Sequence, residues 1–235
     1  MKINENGRSM IEMLGVLAII GVLSVGGIAG YSKAMSKYRT NKMIDQATML
    51  ITNIRTMFAQ QQSYAGLNNA RAVNLALVPE EMIVNPGTEI KDEVANGTNG
   101  RKLRNVFSGE VLVSNSPIDA QDTDTGGVEG GVAGQGAFKV SFFGISRDAC
   151  IQVATSDWGA GSSSGLVGMH IWAADANNYK TDTVIDTTYK NGTNGSQNIA
   201  VPGDKVYKVP FTVVQAQKAC ACGNSTTCAV TWKYF

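Results

Sequence analysis

Residues 7–23 read GRSMIEMLGVLAIIGVL, and this stretch decides the fold of the 235-residue chain. No charged residue occurs from Met13 to Tyr31. The apolar run that begins at Met10 covers about 21 residues, or about 31 Å of helix, which matches the hydrocarbon core of a bilayer. Glu12 is the carboxylate near its start. Because a charge at membrane depth is costly, Glu12 is expected to be functional, with its partner in a neighbouring copy of the chain.

The same stretch resembles the amino terminus of type IV prepilins. That family has a short polar leader, a Gly at the cleavage position, a Glu at the fifth mature position and then an apolar run. The corresponding positions here are Gly7, Glu12 and residues 18–23, AIIGVL. The resemblance implies that prepilin peptidase cleaves between Gly7 and Arg8 and methylates the new amino terminus on Arg8. Cleavage before the apolar run leaves the helix on the mature protein, unlike cleavage of a secretory signal.

Two features of this segment depart from the family pattern. Arg8 stands where the first mature residue is usually Phe, Met or Leu. Gly26, Gly27 and Gly30 stand where one branch of the family has a mid-helix Pro. Each Gly costs about 1 kcal/mol relative to Ala in a helix. Two interpretations stay open, namely a place where the helix bends or melts in a filament, and close helix packing through small residues.

The resemblance also gives Glu12 a charge partner. Cleavage creates an α-amino group on Arg8, and in a filament Glu12 of one subunit can meet the amino group of the next. Removing one partner of a buried ion pair costs about 3–5 kcal/mol, because the other charge is left uncompensated. We therefore expect the pair to set the axial register of incoming subunits.

One charge pattern disagrees with export of the carboxyl-terminal part. The positive-inside rule would place the chain after the apolar run in the cytoplasm, because the basic residues there are Lys33, Lys37, Arg39 and Lys42, against only Lys2 and Arg8 before it. The prepilin pattern and the cysteines both argue for export. We expect an inner-membrane precursor whose globular domain is periplasmic, and then an extracellular pilus.

The four cysteines lie at positions 150, 220, 222 and 228. An even number outside the cytoplasm predicts two disulfides, for which three connectivities are possible. We favour Cys150–Cys220 and Cys222–Cys228. The first disulfide closes a long loop and should contribute about 4 kcal/mol to stability, and the second closes a short loop and should contribute about 2 kcal/mol. A zinc site is the alternative, but the C-x-C spacing and a single histidine fit it poorly. We expect no metal.

Composition excludes some classes of protein. The net charge is +1 and 17% of residues are charged, which argues against a nucleic-acid partner. No catalytic constellation is recognisable, so neither an enzyme nor a cofactor is expected. The lone histidine, His170, is expected to be structural. The acidic segment around Asp119–Glu129 is expected to be a solvated loop, with calcium binding as the alternative.

The predicted elements are one long helix followed by strands and small helices. An apolar stripe continues the first helix to about residue 62. The following elements are predicted: a helix over 69–78; a strand over 106–113; a loop over 114–136; a strand over 137–144; a helix capped by Ser146; a loop over 159–165; strands over 166–173, near 183–189 and over 206–211; a helix capped by Thr212; and a strand over 228–235. This order predicts an α+β fold with the long helix on an antiparallel sheet.

The domains predicted from these elements are a leader (residues 1–7), a transmembrane and polymerisation half of the long helix (8–31), an amphipathic half (32–64) and a globular pilin domain (65–235). Within that domain, residues 138–150, FKVSFFGISRDAC, and 209–220, VPFTVVQAQKAC, resemble strand–helix–cysteine segments of type IVb pilins. The resemblance makes the region between these cysteines the disulfide-bounded D-region.

The resemblance implies a structural subunit of a type IV pilus. It forms a helical homo-oligomer and depends on prepilin peptidase and on pilus assembly machinery in the inner membrane. A pseudopilin or minor pilin of a secretion system is the first alternative. A membrane-anchored adhesin is the second.

Overall fold

The computed structural model describes residues 10–61, 63–84, 103–116, 136–159, 165–173, 185, 199–201, 205–207, 209–222 and 227–235. The chain forms two compact units, Met1–Arg39 and Thr40–Phe235. The predicted calcium alternative falls on the acidic segment 119–129, which lies outside the described residues, as do positions 7 and 8 and most of 183–189.

Helix α1 runs over Met10–Phe58, 49 residues. From Thr40 onward it is amphipathic, and its buried residues recur at three- and four-residue steps: Met43, Ala47, Leu50, Ile51, Ile54 and Phe58. The helix ends earlier than the predicted residue 62, and the backbone N–H of Gln61 donates to the carbonyl of Phe58 at 2.9 Å. The Tyr64 ring lies 5.2 Å from Phe58 and 4.8 Å from Phe138, so the chain beyond the helix places Tyr64 in the core.

Three further α-helices lie wholly within the described residues: α2 over Asn69–Asn74, α3 over Arg147–Thr155 and α4 over Val213–Ala219. Their N-caps are Asn68, Ser146 and Thr212, and the last of these forms a capping box with Gln215. The predicted helix over 69–78 is therefore too long. It stops because Ala76 adopts a positive φ of 53° and Leu77 turns back to bond Ala72. A 3₁₀ turn over Glu80–Met82 follows.

Seven strands are described: β1 (Leu103–Arg104), β2 (Glu110–Ser116), β3 (Ala137–Ile145), β4 (Leu166–Ala173), β5 (Ile199–Val201), β6 (Lys205–Tyr207) and β7 (Cys228–Tyr234). An antiparallel sheet has the order β1-β2-β3-β7-β4, and β5 pairs with β6 separately. The predicted strand over 106–113 starts too early, because Asn105–Ser108 forms a turn before β2. The predicted loop start at 114 is also wrong, since Ser114 pairs with Lys139.

The sheet has two differently composed faces, as the two-residue period of a strand requires. One face shares a single apolar core with α1, and it carries Val113, Phe138, Val140 and Trp232. The other face is also buried but largely polar, with Lys139, Ser141, His170, Thr231 and Lys233. A helix on an antiparallel sheet confirms the predicted α+β class.

Candidate functional site

The first half of α1 presents a continuous apolar surface. Every residue from Met10 to Ala34 is exposed, and the large apolar side chains up to Tyr31 have exposed fractions between 50% at Met13 and 85% at Met10. By length and composition this helix is able to cross a membrane. An apolar surface of this extent has to be covered by lipid or by another protein chain.

Glu12 lies in the first turn of α1. A carboxylate there interacts favourably with the positive end of the helix dipole, yet its side chain is exposed in the single chain. The predicted processing residues, Gly7 and Arg8, lie outside the described residues, so cleavage between them and the charge pair with Glu12 stay predictions.

Glycines in this helix lie beside open space in the part of the chain that the structure describes. A Cβ added to Gly26, Gly27 or Gly30 would meet no atom within 4 Å. The Ser24 hydroxyl donates to the carbonyl of Ile20 at 2.7 Å, which satisfies it inside the helix. Small side chains whose polar groups are already hydrogen-bonded within the helix allow a second helix to approach closely.

The four cysteines meet where α3, α4 and β7 come together. The structure joins Cys150 in α3 to Cys220 at the end of α4, with Cα atoms 5.9 Å apart. It joins Cys222 to Cys228 at the start of β7, with Cα atoms 5.4 Å apart. These are the two pairs that the sequence favoured, and all four residues are buried.

A surface cleft of about 200 Å³ lies between the amphipathic half of α1 and the segment after α3. It is lined by Thr48, Ile51, Thr52, Arg55, Asp157, Trp158 and Tyr234. The Arg55 guanidinium lies over the Tyr234 ring at 5.8 Å, and the Tyr234 hydroxyl donates to the carbonyl of Trp158 at 3.1 Å. Burial raises the pKa of Tyr234 and, less strongly, that of Tyr64, while Arg55 opposes both shifts. Both hydroxyls therefore stay protonated at neutral pH.

A surface ion pair fastens the 3₁₀ turn to α1. Lys42 Nζ lies 2.7 Å from Glu81 Oε1, and the Gln46 amide donates to the same carboxylate at 3.3 Å. The hydrogen bond from Lys42 lowers the pKa of Glu81. Such an exposed pair contributes at most about 1 kcal/mol.

Sequence reasoning missed two buried asparagines that organise the sheet edge. Asn69 bonds the backbone of Val111 and Val113 in β2. Asn105 donates to the carbonyl of Phe143 at 2.7 Å and accepts from Phe107 and Gly109. Asn69 lies in the predicted helix over 69–78 and gave no such signal, and an asparagine just before a predicted strand, as at position 105, also fits an ordinary turn. His170, in contrast, lies buried in β4 and stacks parallel to Trp172 with ring centroids 6.3 Å apart.

A long helix with an exposed apolar half, an antiparallel sheet packed against the following half and two disulfides define a pilin-like subunit. The family model PilS, described as PilS N terminal, matches residues 37–198. The chain therefore belongs to the PilS family, and the type IV pilin resemblance is confirmed.

The chain is similar to two curated proteins that are named as pilus subunits and to one solved structure of a pilin. The chain is 27% identical over 109 residues to the "Major structural subunit of bundle-forming pilus" of Escherichia coli O127:H6 (strain E2348/69 / EPEC) and of Escherichia coli O111:H-. Each match covers 46% of this chain and 50% of the relative, so the chain spans about half the length of these relatives. The crystal structure of a type IV b pilin from Salmonella typhi covers 83% of this chain and 98% of its own, at 15% identity and a TM-score of 0.44.

Proposed function

We propose that this chain is the structural subunit of a type IV pilus. The observation that carries the proposal is the exposed apolar half of α1 in a member of the PilS family. The similar curated proteins are named major structural subunits of a pilus, which favours a structural subunit over a pseudopilin, a minor pilin or an anchored adhesin.

The apolar half of α1 has two successive environments in this proposal. It first anchors the precursor in the inner membrane, where prepilin peptidase cleaves after Gly7 and methylates Arg8. It then leaves the lipid and becomes the core of a helical filament built by the assembly machinery. Both environments cover the same apolar surface, so the transfer exchanges lipid contacts for helix contacts without exposing that surface to water.

Glu12 selects the position of each incoming subunit. Its carboxylate is unfavourable at membrane depth until it meets a positive charge. The α-amino group of Arg8 in a neighbouring subunit supplies that charge, and a displaced register would leave both charges uncompensated. Leaving one charge of the pair without its partner costs about 3–5 kcal/mol. A subunit in a displaced register is therefore disfavoured by more than a hundredfold.

Substitution of Glu12 tests the assembly role separately from anchoring. In Glu12→Gln the side chain keeps its size and loses its charge, so we expect wild-type amounts of membrane-inserted subunit and few or no filaments. Ser24→Ala is the matched control, because Ser24 is satisfied within its own helix, and it should assemble normally. Membrane fractionation with immunoblotting and electron microscopy measure the two quantities. Wild-type numbers of filaments from Glu12→Gln would show that the carboxylate does not set the register.

The mass of the mature subunit tests processing. We expect loss of residues 1–7, one added methyl group and four fewer hydrogens than the reduced chain, since both disulfides are formed. An intact Met1 on subunits taken from the filament would contradict cleavage.

A further inference from the structure

The two disulfides are close enough to react with each other. The sulfur atoms of Cys150, Cys222 and Cys228 all lie within 4.8 Å of one another, although Cys150 is bonded to Cys220 and Cys222 to Cys228. Cys228 Sγ also lies 3.6 Å from the carbonyl oxygen of Cys220. A thiolate formed at Cys228 therefore needs only a small side-chain rotation to reach the sulfur of Cys150.

We propose that the Cys222–Cys228 disulfide is the redox entry point of the folded domain, through which the buried Cys150–Cys220 disulfide is reduced and re-formed by internal thiol–disulfide exchange. This assigns a chemical role to the short-loop pair that goes beyond the proposed function as a pilus subunit.

Exposure distinguishes the two pairs. Cys150 and Cys220 are 0% and 1% exposed, Cys228 is 1% exposed, and Cys222 has the largest exposed fraction at 7%. Thiol–disulfide exchange needs direct approach of the attacking thiolate to a sulfur atom. Of the four cysteines, Cys222 therefore offers a dithiol in solution the most accessible approach, and Cys150 and Cys220 offer almost none.

Loop length favours the same order in the oxidising direction. Cys222 and Cys228 are separated by 6 positions in sequence, and Cys150 and Cys220 by 70. Closing the shorter loop costs less chain entropy. The local disulfide therefore forms more readily and is available as an internal oxidant for the pair that joins α3 to α4.

The exchange is balanced in electrons and protons. A thiolate of an external dithiol attacks Cys222 Sγ, forms a mixed disulfide and releases the Cys228 thiolate. The Cys228 thiolate attacks Cys150 Sγ, which forms Cys150–Cys228 and expels the Cys220 thiolate. The second thiol of the reagent then resolves the mixed disulfide and frees Cys222. The dithiol is oxidised to its disulfide by two electrons, and the chain gains two electrons and two protons as the thiols of Cys220 and Cys222.

A single substitution tests the internal step without any reductant. In Cys222→Ser the thiol of Cys228 is free from the start, so we expect molecules with a Cys150–Cys228 disulfide and a free Cys220. Cys150→Ser is the matched control, because it frees Cys220, which is outside the group of three close sulfurs, and it should keep Cys222–Cys228. Alkylation at low pH followed by peptide mass mapping of the full chain in detergent identifies the free thiol. Cys228 as the free thiol in all Cys222→Ser molecules would overturn the proposal.

Reduction of the folded full chain by dithiothreitol is the second test. In the double variant Cys222→Ser/Cys228→Ser the entry point is absent, so we expect Cys150–Cys220 to be reduced about tenfold more slowly than in the wild type. In urea high enough to unfold both proteins the two rates should become equal. Because loss of stability in the variant could only accelerate reduction, a slower rate is diagnostic. An equal or faster rate under folding conditions would overturn the proposal.

Discussion

Asn69 satisfies two backbone groups of β2 with its side chain. Its side-chain amide donates to the carbonyl of Val111 at 2.9 Å, and its carbonyl accepts from the N–H of Val113 at 2.7 Å. Both backbone groups belong to β2, whose described neighbour on one side is β1, Leu103–Arg104. Val111, Val113 and Asn69 are 0% exposed, so water cannot replace these bonds.

Replacement of Asn69 should therefore be unusually destabilising for an asparagine. Asn69→Ala leaves one carbonyl and one N–H buried without partners, and we expect a loss of about 2–4 kcal/mol in the free energy of unfolding. Asn74→Ala is the control, because Asn74 is at the exposed end of the same helix, and it should change stability by less than about 0.5 kcal/mol. Tryptophan fluorescence during urea unfolding of the full chain in detergent measures both. Equal free energies of unfolding for the wild type and Asn69→Ala would mean that other groups hydrogen-bond the backbone of β2 at Val111 and Val113.

At the level of elements, the sequence predicted what local patterning determines. The stripe on α1, the approximate positions of β3 and β7, and the side-chain caps Ser146 and Thr212 could all be predicted, because each depends on neighbours within a few residues. The errors occurred where distant contacts decide. Beyond the end of α1, Tyr64 packs on the distant Phe138 ring, and the extension of β2 to Ser116 depends on pairing with β3. The predicted strand over 206–211 ends as β6 at Tyr207, and the Phe211 N–H bonds the carbonyl of Ala154 instead of a strand.

The same division applies to the candidate site. The apolar half of α1 and the favoured cysteine pairs could be predicted from sequence, because composition and loop length are local or countable properties. The assembly role of Glu12 stays a prediction. The grouping of three sulfurs within 4.8 Å and the roles of Asn69 and Asn105 could not. They require the positions of α3, α4, β2 and β7 relative to one another, which only the folded domain supplies.

The two disulfides should differ in what they contribute to stability. Cys150–Cys220 closes a loop with a sequence separation of 70 and joins α3 to α4, whereas Cys222–Cys228 closes one of 6. In the chain-entropy model these loops are worth about 4 and about 2 kcal/mol. We expect Cys150→Ser/Cys220→Ser to lower the urea midpoint of the full chain about twice as far as Cys222→Ser/Cys228→Ser. Equal shifts would indicate that local packing, and not loop length, sets the contribution of each disulfide.

At the scale of the whole molecule, burial is confined to one of the two units. All buried residues of the described chain lie at or after Thr40, in the unit Thr40–Phe235. Removing residues 1–39 therefore deletes none of the buried side chains that the structure describes, but it deletes the exposed apolar surface of Met10–Ala34. The stabilising core and the surface proposed for polymerisation are carried by different parts of the sequence.

This separation predicts a soluble, folded fragment. Residues 40–235, secreted into an oxidising compartment, should form both disulfides and remain monomeric without detergent, whereas the full chain should require detergent or lipid. Thr40 is itself a favourable residue for a new helix start, since a threonine side chain can cap the first turn. Light scattering gives the mass in solution, near-ultraviolet circular dichroism reports the packing of the tryptophans, and thiol titration counts the cysteines. Aggregation of the fragment, or free thiols in it, would mean that the amino-terminal half of α1 is needed to fold the domain as well as to polymerise it.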